Sequence, residues 1–92
     1  MAFAVLFNPV SMSAEQYAEI QRRLDAAGHG NPAGRLHHVC FGEDDALRAL
    51  DVWTSLEEFY AFGGALMPIL AAVGVDPGEP EVLPVERLIS AG

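Results

Sequence analysis

The sequence predicts an α+β domain of the ferredoxin-like type: six elements in the order β-α-β-β-α-β, a four-stranded antiparallel sheet, and both helices on one face of it. Three observations carry this prediction. The opening AFAVLFN, residues 2 to 8, is apolar on both of its alternating sets, as in a strand covered on both sides. Two later stretches, each behind a capping residue, repeat their apolar positions at helical intervals. Between them, Leu36 to Trp53 holds two strand-like runs around the turn-forming GEDD.

Each element has a local reason. Pro9 ends the first strand. Ser13 and Gln16 have the spacing of a capping box, and Tyr17, Ile20, Leu24 and Ala27 recur on one side of a helix over 14 to 27 that Gly28 stops. The breaker-rich GHGNPAG, Gly28 to Gly34, is a loop. Strands follow over 36 to 41 and 46 to 53. Thr54 and Ser55 each stand three residues before a glutamate that complements a helix N-terminus, so the second helix starts there. Gly63, Gly64 and Pro68 predict a break or kink near 63 to 68. After the turn cluster VDPGEP, residues 82 to 89 form the last strand.

Helices on one face leave the other bare. A first strand apolar on both sides does not suit contact with water, so a second sheet, most simply that of an identical subunit, is expected to cover it. Residues 1 to 92 are expected to form a single domain, and an isolated domain of this size buries only about 60 to 65% of the surface of its unfolded chain. The hydrophobic content of 51% adds to the pressure toward a homodimer.

Charge narrows the partners. Thirteen acidic against five basic residues give a net charge of −8, and the basic residues, all arginines, are scattered apart from Arg22-Arg23. Such a surface repels phosphate backbones and anionic membranes, so neither nucleic acid nor a membrane is an expected partner. Cys40 is the sole cysteine, which suits a reducing compartment. The N-terminal MAFAVLF lacks a basic stretch, and no apolar run approaches the roughly 20 residues of a membrane span. The expected location is the cytoplasm.

The chemistry-bearing residues concentrate in the hairpin. A turn of two residues, Glu43-Asp44, or of four, Glu43 to Ala46, puts Leu36, His38, Cys40, Leu47, Ala49, Asp51 and Trp53 on one face. His37, Val39, Phe41, Arg48, Leu50 and Val52 then take the other. His37 and His38 therefore cannot share a site. One face offers His38, Cys40 and Asp51 at most, short of a metal cage, so no metal is expected. Cys40 reads as a small buried hydrophobe. His38 and Asp51 read either as a self-satisfied buried pair or as an imidazole base whose tautomer the carboxylate fixes.

Reading the first and third strands as parallel neighbours brings Asn8 and Trp53 to one end of the sheet, together with the starts of both helices. Asn8, Asp51 and Trp53 would then line a pocket with Tyr17 and Phe59 from the helices. Ordinary core packing is the alternative for the three aromatic residues.

Trp53, Ser55 and Phe59 in DVWTSLEEFYAF resemble the Trp-x-Ser-x-x-x-Phe signature of dimeric α/β-barrel proteins related to the antibiotic biosynthesis monooxygenases. Element order, FNPVSMSAEQY and PILAAVGV extend the likeness over nearly the whole chain. The resemblance implies two ferredoxin-like sheets paired into a barrel. It also implies either cofactor-independent oxygenation of an aromatic or polyphenolic small molecule, or haem degradation. Asn8 and Trp53 look like residues of the haem-degrading branch, but the axial histidine which that branch carries on its second helix has no counterpart between Ser55 and Gly74. Cofactor-free oxygenation is the leading enzymatic expectation, with isomerisation or cyclisation through a base in the same pocket as the remaining chemistry. In the oxygenation His38 is the base, Asp51 orients it, Asn8 hydrogen-bonds the developing oxyanion, and Trp53 and Tyr17, with Phe59, hold the flat substrate. The competing expectation is a non-catalytic dimer that binds a hydrophobic metabolite or serves in a stress response.

Overall fold

The computed structural model describes residues 1 to 90. The elements are β1 (Phe3–Phe7), α1 (Ala14–Ala26), β2 (Arg35–Phe41), β3 (Arg48–Trp53), α2 (Leu56–Val73) and β4 (Glu81–Pro84). The sheet has the order β2-β3-β1-β4, with every neighbouring pair antiparallel. This is the α+β ferredoxin-like arrangement.

The expected parallel pairing of the first and third strands is corrected. Phe3 lies opposite Trp53 and Phe7 opposite Ala49. The reason is the crossover: α1 returns the chain so that β2 runs parallel to β1 at a distance, and the hairpin then lays β3 between them in the reverse direction. Asn8 and Trp53 consequently lie at opposite ends of the sheet, and the two helices start at opposite ends as well.

The hairpin register follows the four-residue turn. Phe41 pairs with Arg48 and His38 with Asp51, and the amide of Ala46 donates to the Glu43 carbonyl at 2.9 Å. Gly42 enters the turn at φ +122°, where a Cβ would sit 2.7 Å from the Ala46 carbonyl oxygen. One irregularity separates β2 from simple alternation: Arg35 faces Trp53 while His37 faces Val52, so Leu36 is an extra, unpaired residue. This bulge turns Arg35 toward the helices, and Leu36, expected on that inner face, is instead 53% exposed.

Ser13 caps α1 with the full reciprocal box, receiving the Gln16 amide at 3.1 Å while its own amide donates to Gln16 Oε1 at 3.0 Å. Ser55, not Thr54, caps α2, and its Oγ accepts the Glu58 amide at 3.2 Å. No break interrupts α2. Pro68 removes a single bond, to the carbonyl of Gly64, and both residues are on the solvent side, where water can satisfy that oxygen. On either side of it Phe59, Phe62 and Leu70 are anchored in the core. The 18-residue helix is long and apolar enough, by length and composition, to cross a membrane, with mean hydropathy 1.3. Here it packs one side on the sheet and carries Glu57 and Glu58 in its first turn.

The last strand is shorter than expected. It ends at Pro84, which has no N–H to extend the ladder, and the next amide, of Val85, closes onto the Ala2 carbonyl at 2.9 Å. The core lies between the inner sheet face and the helices and is built on Val5, Met12, Ile20, Leu24, Trp53 and Phe62. The opposite sheet face presents Leu6, Val39, Leu50 and Leu83, with Val39 39% and Leu83 56% exposed.

Candidate active site

Alternation in β2 and β3 carries His38, Cys40, Ala49 and Asp51 onto the face toward the helices, and the first turn of α1 brings Tyr17 down onto them. Asp51 is 2% exposed. Its Oδ1 accepts a hydrogen bond from His38 Nδ1, directly across the strand pair. The carboxylate fixes the tautomer: with Nδ1 carrying a proton, Nε2 of the neutral ring holds its lone pair outward. The Tyr17 hydroxyl lies 2.6 Å from that nitrogen, with the two rings nearly parallel. A chain Asp51–His38–Tyr17 thus runs from β3 through β2 to α1.

This chain forms part of the wall of a cavity between sheet and helices that encloses about 60 Å³. Phe7, Met12, Leu66 and Leu70 supply much of the remaining wall, which is largely apolar, and Pro9 and Pro77 stand where the connecting loops close over the end of β1. Two backbone contacts fasten that end. Met12 bridges to the hairpin turn, its amide donating to Asp45 at 2.8 Å, and the Val10 amide donates to Asp76 at 3.1 Å.

Burial sets the titration of the wall. It pushes the Tyr17 phenol above its ordinary value, the neighbouring Cys40 adds to that shift, Arg35 acts in the opposite direction, and Asp51 again raises it. Burial likewise pushes the Cys40 thiol up. Both groups therefore stay protonated at neutral pH.

Of the residues singled out in the sequence, the structure brings together His38, Asp51 and Tyr17. Trp53 and Phe59 are in the packed core and do not line the cavity. The Trp53 ring is fully buried, 5.8 Å from Phe59 and 5.3 Å from Phe62, and its indole N–H has no partner among the described residues. Asn8 is exposed, between the lining residues Phe7 and Pro9, and is not itself on the wall. The expected pocket combined these residues because it rested on parallel strands. Among the described residues no three His, Cys, Asp or Glu side chains converge as a metal site. His37 lies on the far face of the sheet from His38.

Arg35 is on the wall and was not among the expected site residues. Its guanidinium lies 5.5 Å over the Phe62 ring. Alternation counted back from His38 puts residue 35 on the outer face, and only the bulge reverses this, so strand periodicity gives no signal for it.

The architecture is that of antibiotic biosynthesis monooxygenase-like proteins. A candidate antibiotic biosynthesis monooxygenase from Chloroflexus aurantiacus superposes with a TM-score of 0.69 at 15% identity, with 100% of each chain covered. SnoaB, a cofactor-independent oxygenase from Streptomyces nogalater, gives 0.65 at 19% identity, over 98% of this chain and 96% of its own. A candidate enzyme of the same kind from Caulobacter crescentus gives 0.61 at 18% identity, over 96% and 91%. At such identities the likeness establishes the fold. No protein-family model matches the sequence, and neither does any curated protein.

Proposed function

We propose that the chain works as a homodimer whose inner cavity catalyses cofactor-independent oxygenation of an electron-rich aromatic or polyphenolic small molecule. The observation that carries the reading is the Asp51–His38–Tyr17 hydrogen-bonded chain set into a mostly apolar wall. His38 Nε2 is the proton acceptor, held in its productive tautomer by Asp51. Tyr17 stands between that nitrogen and the ligand, and passes its own proton inward as it takes one from the substrate. The resulting enolate gives one electron to molecular oxygen, the radical pair recombines to a peroxide anion that takes the proton back through Tyr17, and loss of water from the hydroperoxide leaves a ketone. One oxygen atom ends in the product and the other in water. The monooxygenase names of the fold relatives support this choice of chemistry.

The dimer reading rests on the outer face, where Leu6, Val39, Leu50 and Leu83 make a sheet surface that an identical sheet would bury. One observation favours a second reading, a non-catalytic module for a small hydrophobic metabolite. The enclosed volume of about 60 Å³ is well below the roughly 300 Å³ where ordinary ligand pockets begin. A polycyclic substrate needs more room than this cavity has. Oxygen uptake with an anthrone-type substrate decides between the two. Consumption by the native protein that is lost in His38→Ala supports the oxygenase, while saturable binding without consumption supports the module. Equal uptake by native protein and His38→Ala removes His38 from the chemistry.

A further inference from the structure

The Asp51–His38–Tyr17 chain does not account for all the polarity of the cavity. Arg35 also lines it, and among the described residues its guanidinium makes one hydrogen bond, from Nη2 to the Gly30 carbonyl at 3.2 Å. None of the ion pairs formed by the described residues includes Arg35, in a chain with thirteen acidic residues against five basic ones. The cation is there because of the bulge, which spends a residue to turn Arg35 inward opposite Trp53 and leaves Leu36 53% exposed. Burial alone favours the reverse. A leucine placed inside gains from the water it sheds, whereas a guanidinium against an apolar wall loses hydration without a carboxylate to replace it. Bulges that re-aim a side chain in this way gather at binding sites, and inversions of local preference mark function.

We propose that Arg35 anchors a carboxylate on the ligand of this cavity, so that the ligand class is an aromatic acid, its ring against the apolar wall and its acid group on the guanidinium. Phe62 beneath the cation holds the fork in place. The inference rests on the cavity being the ligand site, as proposed above, and adds which chemical group the site selects.

The test is calorimetric titration of the full chain with benzoate and with benzamide, which share a shape and differ in charge. The acid is expected to bind at least about tenfold tighter, the size of one charge-assisted contact. Arg35→Gln is expected to close that gap, and Arg35→Lys, which keeps the charge and loses the fork, to retain part of it. Arg22→Gln, on the exposed side of α1, is expected to leave the preference as it is. Equal affinities in the native protein, or a preference that survives in folded Arg35→Gln, overturn the anchor and leave the cavity as a ligand site. Should Arg35→Gln fail to fold, a reduced preference in Arg35→Lys is the result that supports the anchor and an undiminished one overturns it. Binding of neither probe overturns the anchor and the cavity reading together.

Discussion

Replacing either end of the His38–Asp51 pair is expected to destabilise the protein unequally, and the structure fixes which end matters more. The Asp51 side chain is 3% exposed and that of His38 21%. His38→Ala leaves a carboxylate inside the fold without the N–H it accepts, and water reaches it poorly. Losing the partner of a buried charge costs about 2 to 3 kcal/mol, and the packing of the deleted imidazole brings the total to about 3 kcal/mol. Asp51→Asn is milder. Its amide oxygen still accepts from Nδ1, and His38, at the cavity edge, can exchange with solvent, so about 1 to 1.5 kcal/mol is expected. The double variant is expected to recover about 1 kcal/mol or more relative to the sum of the singles, because with Asn at position 51 the loss of the imidazole no longer strands a buried charge. Urea denaturation at one fixed protomer concentration measures all three, since any dimer linkage makes the midpoint concentration-dependent. With a slope of about 1 to 1.5 kcal/mol per molar, His38→Ala lowers the midpoint by roughly 2 to 3 M and Asp51→Asn by about half that or less. A His38→Ala loss below about 1 kcal/mol, or strict additivity in the double variant, would show that Asp51 does not depend on the imidazole.

Tyr17 gives a pH signature. Burial holds its phenol above 10.0, so the folded state favours the neutral form. Stability from this source is complete below about pH 10 and lost as pH climbs through the folded pKa. Between pH 9 and pH 11 the urea midpoint of the native protein is therefore expected to fall more steeply than that of Tyr17→Phe, and parallel declines would contradict the assignment. Gly42→Ala forces a side chain into the positive-φ region and onto the Ala46 carbonyl. A cost of about 2 kcal/mol, or roughly 10 °C in Tm, is expected, and an unchanged Tm would mean that the turn relaxes freely. Val39→Glu puts a charge into the centre of the apolar outer face and is expected to convert a sedimenting dimer to monomer at micromolar concentration; a native protein already monomeric there would refute the dimer.

What the sequence made legible was whatever depends on short-range periodicity. His38 and Asp51 could be set on one face because side chains alternate strictly along a strand, and the parity of a four-residue turn carries that alternation across the hairpin. Ser13 with Gln16 and Ser55 with Glu58 mark helix starts because a cap is decided within three residues. Longer-range matters were less legible. Strand direction follows from how the crossover threads the sheet: the antiparallel order expected for the whole sheet already opposes β1 to β3, and only the contrary reading of that one pair drew Asn8 and Trp53 together. Helix α2 survives Pro68 because tertiary anchoring on both sides outweighs one lost bond on the wet face, a balance that propensity does not contain. For Trp53, composition says that an aromatic will be buried and cannot say whether it meets a cavity or other rings.

Arg35 is the sharpest instance, because a single residue decides the chemistry of the wall. Counting in twos from His38 assigns the inner position to Leu36 and yields a cavity whose charged groups are the His38–Asp51 pair alone. One inserted residue exchanges Leu36 for Arg35 and adds a cation with no carboxylate partner among the described residues. The two cavities differ in what they attract: the first suits any flat apolar ring, the second an apolar ring that bears an acid. A bulge leaves no composition mark beyond the Gly34 that precedes it, and glycine there is equally consistent with the end of a loop. The selectivity of the site therefore resides in backbone register, and a probe of charge preference tests the bulge as directly as it tests the residue.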